Sequence, residues 1–255
     1  MDRITIGVVG ENVLKRYTGS GAAEFQPYIL LVNFKKHVDI FSKNTNCRVI
    51  SGAAMDVCHS SVLGISVINF GVGSPLAALI IELLSFIKPK ATLFLGTCGG
   101  LRDNFKIGEY FNPVAAIREE GTSFAYLPER CPSLSSFVIQ RYVCEELERN
   151  SIIYHNGVIH TTNLRFWEFK EKFKQNLLEE QSQAIDMECA TLFTVGFACK
   201  IAVGALIMIT DLPLKLSGIK IQNSPEDVSI RHFSMGINVL KNMRANEADG
   251  FGYKF

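Results

Sequence analysis

The sequence predicts an α/β fold in a single domain, with a central mixed, largely parallel β-sheet flanked by helices. Three observations carry that expectation. Continuous apolar runs such as "ATLFLGTC" (91–98) and "AVGALIMIT" (202–210) read as strands covered on both faces. Helical segments alternate with such runs along the chain. No linker, repeat or low-complexity tract divides the 255 residues, so one domain spans 1–255.

Taken in order, "ITIGVVGEN" (4–12) reads as an added edge strand or as part of an N-terminal extension (1–27) packed on the domain; its G-x-x-G lacks the spacing of a dinucleotide loop. "YILLVNF" (28–34) is a strand, "KKHVDIFSK" (35–43) a helix and "GISVINFGVG" (64–73) a second strand. "SPLAALIIELLSFIK" (74–88) is a helix, with Ser74 as N-cap and Pro75 in the first turn. "EYFNPVAAI" (109–117) and "NGVIHTT" (156–162) are further strands. Residues 134–150, the segment around 167–180, and 228–246 are helical.

Composition narrows the function. A hydrophobic fraction of 47% and a charged fraction of 20% are those of a well-packed soluble protein. The net charge of +1, from 26 basic and 25 acidic residues, offers no field for nucleic acid and no polybasic arm for a membrane. Seven cysteines (47, 58, 98, 131, 144, 189, 199) form no C-x-x-C pair and read as reduced thiols. Five scattered histidines have no metal-ligand spacing, and His37 and His59 read as ordinary surface or satisfied residues. The apolar start is cut by Glu11, and the longer uncharged runs fall short of the ~18 residues of a membrane span. A cytoplasmic location follows.

Ligands of open α/β sheets bind beyond the carboxyl ends of the strands. The turns there are "GVGSP" with Gly73 and Ser74, "GTCGGL" with Thr97, "TTNLRFW" with Thr162, and "TDLPL" with Asp211. Glycines admit a close backbone approach, and a helix opening at Ser74 favours an anion. In "AIDMECATLF" (184–193), Asp186 is a helix cap and Glu188 a first-turn acid held ionised by the helix dipole. Asp211 ends an apolar strand, where burial favours the protonated acid. Two carboxyl groups driven apart in this way are a recurring acid/base arrangement.

"INFGVGSP", "LFLGTCGGL", "IGEYFNPVAAIREEGTSFAYLPE", "TTNLRFWE", "AIDMECATLF" and "TDLPL…GIK" follow one another in the order found in the purine nucleoside phosphorylase and nucleosidase superfamily. From about residue 14 to 240 the chain resembles that superfamily, and within it the AMP nucleosidases, in a compact form without their extra N-terminal domain. The resemblance implies hydrolysis of AMP to adenine and ribose 5-phosphate, with no metal or organic cofactor, in a homo-oligomer (a hexamer among the relatives). Met187 would pack on the ribose, Glu188 would bind its 2′- and 3′-hydroxyls, and Asp211 would protonate the departing purine. The loop holding Thr162 and Arg165 would line the base, with Phe166 or Trp167 stacked on it. Arg16 and Thr18 of "RYTG" would meet the 5′-phosphate, Arg16 in trans, with Arg165 as another candidate.

A phosphate nucleophile would need an Arg and a Ser where this chain has Phe94 and Thr97, which favours water; a phosphorylase, a nucleosidase for adenosine or methylthioadenosine, or a non-catalytic nucleotide-binding relative are the alternatives. Three departures from the pattern stand out. Thr97 replaces the usual Lys or His, and Ile221 replaces a Thr. His37 stands where related nucleosidases carry a water-activating Glu, so the base remains open between Glu188 and the substrate phosphate.

Overall fold

Strand β1 (Tyr28–Val32) is buried at all its positions because it has a parallel neighbour on each side and packed side chains on both faces. The computed structural model describes residues 3–219 and 225–248 of the chain. After β1 come α2 (Lys35–Thr45), β2 (Val49–Ser51), β3 (Asp56–Ser60), β4 (Ile65–Asn69) and α3 (Ser74–Leu84). They are followed by β5 (Ala91–Gly100), β6 (Tyr110–Arg118), β7 (Ser133–Leu134), α4 (Phe137–Arg149), β8 (Tyr154–Thr161) and α5 (Glu171–Glu179). The described chain closes with β9 (Ala184–Asp186), α6 (Cys189–Cys199), β10 (Val203–Asp211) and α7 (Glu226–Ala248).

The long pairings β4–β1, β1–β5, β5–β10 and β6–β8 are parallel, whereas β2, β3 and β7 join antiparallel at the margins. Because β10 pairs with both β5 and β6, and β9 with both β8 and β5, these five strands close a ring. Side chains alternate across the sheet with the two-residue period of a strand. Ile29 and Leu31 of β1, with Ile207 and Ile209 of β10, pack towards α3 and α6. Leu30, Leu93 and Met208 pack towards α2, α4 and α7. The expected sandwich of helix, sheet and helix is the observed one.

Four local expectations are corrected. "ITIGVVGEN" lies not in an edge strand but in helix α1 (Arg3–Thr18). Its β-branched residues suggest a strand, yet Gly10, Leu14 and Thr18 are buried while Val8 and Val9 stand 57% and 50% exposed, which is a helical period. Leu14 enters the core cluster to which α3 contributes, and Gly10 leaves room for the Phe86 ring. Ser74 is the first residue of α3 and Gly73, at φ +99°, is its cap. Asp186 ends strand β9 instead of belonging to the helix, and Glu188 sits just ahead of α6. The short strands β2 and β3 were invisible to pattern reading because three and five residues carry little periodicity.

Candidate active site

The parallel strands end on one side, and there a cavity of about 620 Å³ opens. Its wall takes Asn33 and Phe34 after β1, Val72 before α3, Thr97 to Gly99 in β5, and Thr162, Leu164, Arg165, Trp167 and Glu168 after β8. Ile185 to Glu188 bridge β9 and α6, and Thr210, Asp211 and Pro213 close the ring from the end of β10. This is the strand-end position that α/β sheets use for ligands.

Asp186 and Glu188 are buried together but held differently. Asp186 Oδ1 accepts the Thr161 hydroxyl at 2.6 Å, while Oδ2 accepts the backbone N–H of Glu188 at 3.2 Å and of Cys189 at 2.7 Å. Thr161 Oγ1 in turn accepts the Ala190 N–H at 2.9 Å, so strand β8 and the start of α6 are locked to one carboxylate. The capping role expected of Asp186 is present, although its own backbone is a strand. Burial pushes its carboxyl up, against the pull of those donors.

Glu188 Oε1 accepts the Gly73 N–H at 2.8 Å. Burial, then the Asp186 charge, pushes the Glu188 carboxyl up to about 8. Burial and the neighbouring like charge act against the expectation that the helix start, with a dipole effect of about 0.3–1 kcal/mol, holds Glu188 ionised. The same surroundings push the thiols of Cys98 and Cys189 well above the ordinary range, which makes both poor nucleophiles.

Asp211 stands half-buried on the opposite margin of strand β5, where the β5–β10 register shifts between Ile209 and Asp211. Such an irregularity re-aims a strand's side chain. The Thr210 hydroxyl donates to Asp211 Oδ1 at 3.3 Å. Full burial, expected from the apolar run, stops one residue earlier at Thr210, which is 9% exposed.

Of the other residues singled out from sequence, Met187, Thr162, Arg165, Trp167 and Thr97 line the cavity. Gly73 and Ser74 stand behind the wall: Gly73 holds Glu188, and the Ser74 hydroxyl donates to the Met187 carbonyl at 2.8 Å. Of the two aromatic candidates, Trp167 lines the cavity, is 4% exposed and packs on Phe173, whereas Phe166 is 70% exposed and outside the wall. Arg16 and Thr18 are not brought into the cavity of their own chain. Thr18 is buried and donates its hydroxyl to the Leu14 carbonyl at 2.8 Å, and Arg16 lies exposed on α1. Ile221 lies outside the described residues.

Phe94 is buried edge-to-face on Phe70 and does not line the cavity. His59 is satisfied as expected, by Ser66 at 2.8 Å and Ser20 at 3.0 Å. His37 is not: it is buried against Phe233 with Nδ1 unpartnered, and burial followed by the Lys36 charge lowers its pKa to about 4. It lines a neighbouring cavity of about 530 Å³ that shares Phe34 and Thr97 with the first. Sequence reasoning missed Glu168, a buried acid paired to Arg165 at 2.9 Å; the i,i+3 spacing of the two in "RFWE" was the available signal. Among the described residues no helix is long and apolar enough to cross a membrane.

Residues 27–231 match the family model described as the Phosphorylase superfamily. The chain is 28% identical to the AMP nucleosidase of Escherichia coli K12, over 91% of this chain and 58% of that one. It thus spans well under two thirds of the length of that curated relative. A crystal structure of AMP nucleosidase from Bacteroides thetaiotaomicron superposes with a TM-score of 0.83 at 42% identity, covering 94% of this chain and 98% of that one. Uridine phosphorylase from Vibrio fischeri shares the fold at a TM-score of 0.77 and 20% identity, over 92% and 98% of the two chains. A family match across most of the chain, a sheet with helices on both faces, and a cavity at its strand ends lead to one conclusion: this protein belongs to the phosphorylase superfamily.

Proposed function

We propose that this chain hydrolyses the N-glycosidic bond of AMP, releasing adenine and ribose 5-phosphate. The observation that carries the reading is the meeting of Glu188 and Asp211 in one strand-end cavity, in a chain 42% identical to an AMP nucleosidase. Met187 packs on the sugar, and Glu188 accepts the 2′- and 3′-hydroxyls. Those two donors favour the carboxylate, so substrate binding draws off the proton that burial favours on Glu188. The resulting charge stabilises the oxocarbenium-like transition state.

Asp211 gives its proton to the imidazole-side nitrogen of the purine as the bond to C1′ breaks. Water adds its oxygen to C1′ and loses one proton, which restores the carboxyl balance. Trp167 contributes to the wall on the base side. Arg165 is committed to Glu168 and is the one Lys or Arg among the described lining residues, so the 5′-phosphate is left to Arg16 of a second copy in a homo-oligomer, a hexamer by likeness to the superfamily. The reaction needs neither metal nor organic cofactor, and the odd, widely spaced cysteine set suits the cytoplasm.

Phosphorolysis finds little support, because Phe94 is packed in the core and Thr97 brings no positive charge to the wall. Incubating the protein with AMP and following free adenine tests the proposal. Faster cleavage of adenosine or methylthioadenosine, or turnover that requires inorganic phosphate, would overturn it.

A further inference from the structure

Two side chains that the proposed reaction leaves unused close a ring of hydrogen bonds at the start of α6. The Thr161 hydroxyl donates to Asp186 Oδ1 at 2.6 Å, and Asp186 Oδ2 accepts the N–H of Glu188 at 3.2 Å and of Cys189 at 2.7 Å. The Ala190 N–H returns to Thr161 Oγ1 at 2.9 Å. Because that N–H can only donate, the hydroxyl hydrogen of Thr161 is committed to Asp186. Three successive N–H groups at the helix opening, which have no partner within the helix, are thus satisfied by two side chains. Thr161 itself is fully buried and does not line the cavity.

The ring also joins two walls of the cavity. Thr161 is the last residue of β8, and the lining residues Thr162, Leu164 and Arg165 follow it directly. Asp186 is the last residue of β9, and the lining residues Met187 and Glu188 follow it in turn. The two strands pair in parallel with Thr161 opposite Asp186, and the Thr162 N–H donates to the Asp186 carbonyl at 3.0 Å. Both walls therefore leave the sheet at one level, tied by a single carboxylate.

We infer that Thr161 is a positioning residue for the sugar-binding acid: acting through Asp186, it fixes the backbone of Glu188 so that the carboxylate meets the ribose 2′-hydroxyl. The inference rests on the proposed AMP hydrolysis. Thr161→Val keeps the branched shape but takes the hydroxyl away from both the Ala190 N–H and Asp186 Oδ1, whereas Thr161→Ser keeps it. A hydrogen bond to a charged group separates a ligand from an analogue lacking it by roughly ten- to hundredfold, and that discrimination decays when the acceptor is displaced by ~1 Å.

The test measures kcat/KM for AMP and for 2′-deoxyadenosine 5′-monophosphate in the wild type, Thr161→Val and Thr161→Ser, with thermal melts of each. The deoxy sugar is the more labile in itself, so the readout is the change in the AMP-to-deoxy ratio between proteins, from which that lability cancels. The ratio is expected to fall at least about fivefold in Thr161→Val and to stay within about twofold of wild type in Thr161→Ser. Equal losses on both nucleotides, or no loss on either, would overturn the assignment.

If Thr161→Val does not fold, the same ratio in Asp186→Asn decides, because the amide offers one acceptor atom where the carboxylate offers two. A fall there supports the ring as the device that aims Glu188, and an unchanged ratio refutes it. A wild type that cleaves neither nucleotide would sink the hydrolase reading. Thr161 would then be judged by calorimetry, with a smaller AMP-over-deoxy binding preference in Thr161→Val as the supporting result and an unchanged preference as the refuting one.

Discussion

The backbone N–H of Gly73 donates to Oε1 of Glu188 at 2.8 Å, joining the cap of α3 to the residue ahead of α6. Gly73 holds φ +99°, a conformation that residues with a Cβ rarely adopt, and a Cβ there would meet nothing within 4 Å. The constraint is therefore on the backbone and not on space. Gly73→Ala is expected to cost about 1–3 kcal/mol and to turn the N–H away from Glu188. A urea melt reads the first effect and the KM for AMP the second; a KM equal to wild type would show that the contact does not position Glu188.

The raised carboxyl of Glu188 makes stability depend on pH. An unfolded chain releases this proton near the ordinary value of 4.5, whereas the folded chain keeps it until about 8. Through that window the folded state binds more protons than the unfolded state, so this residue's contribution falls as pH rises and is fullest below the lower value. Glu188→Gln, which cannot ionise, should flatten that part of the profile of denaturation midpoint against pH. An unchanged slope would place the dependence elsewhere.

Substrate binding should expel the same proton. Calorimetry of the inactive Asp211→Asn protein with AMP near pH 6.5, repeated in buffers of different ionisation enthalpy, is expected to show proton release of the order of one per site. No buffer dependence would mean that Glu188 remains protonated in the complex.

Asp211→Asn itself should lose roughly 10²–10⁴ in kcat while still binding AMP, because an amide cannot deliver the proton. Single-turnover release of adenine checks the chemical step. Undiminished turnover would remove Asp211 as the acid.

Arg16→Ala should raise KM for AMP by about tenfold or more, the worth of a charge-assisted contact, and leave adenosine cleavage nearly unaffected. Mixing Arg16→Ala with Asp211→Asn protomers and measuring recovered activity would test the supply of Arg16 in trans. If Arg165→Ala instead erases the preference for the phosphorylated substrate, the phosphate belongs to Arg165.

Much of this could be read directly from sequence. "YILLVNF", "ATLFLGTC" and "AVGALIMIT" appear as β1, β5 and β10 because strands covered on both faces need unbroken apolar runs. The turns after them supply the cavity wall, since a parallel sheet delivers its strand ends to one side. "ITIGVVGEN" misled because β-branched content is a local preference, whereas the helix of α1 is decided by what Gly10 and Leu14 pack against.

Residue identity and order determined the α/β layering, the superfamily motifs, and the candidate pair Glu188 and Asp211. Tertiary structure decided their states. It placed Asp186 beneath three donors and left Glu188 to share its burial, so the carboxyl expected to be held ionised has its pKa pushed up instead. It also turned Trp167 inward and Phe166 outward, and left one oxygen of Glu168 unpaired. The physical reason is common to all of these. Desolvation and hydrogen-bond supply depend on groups far apart in the chain, Gly73 and Glu188 or Thr161 and Asp186, and no local pattern records which of them will meet.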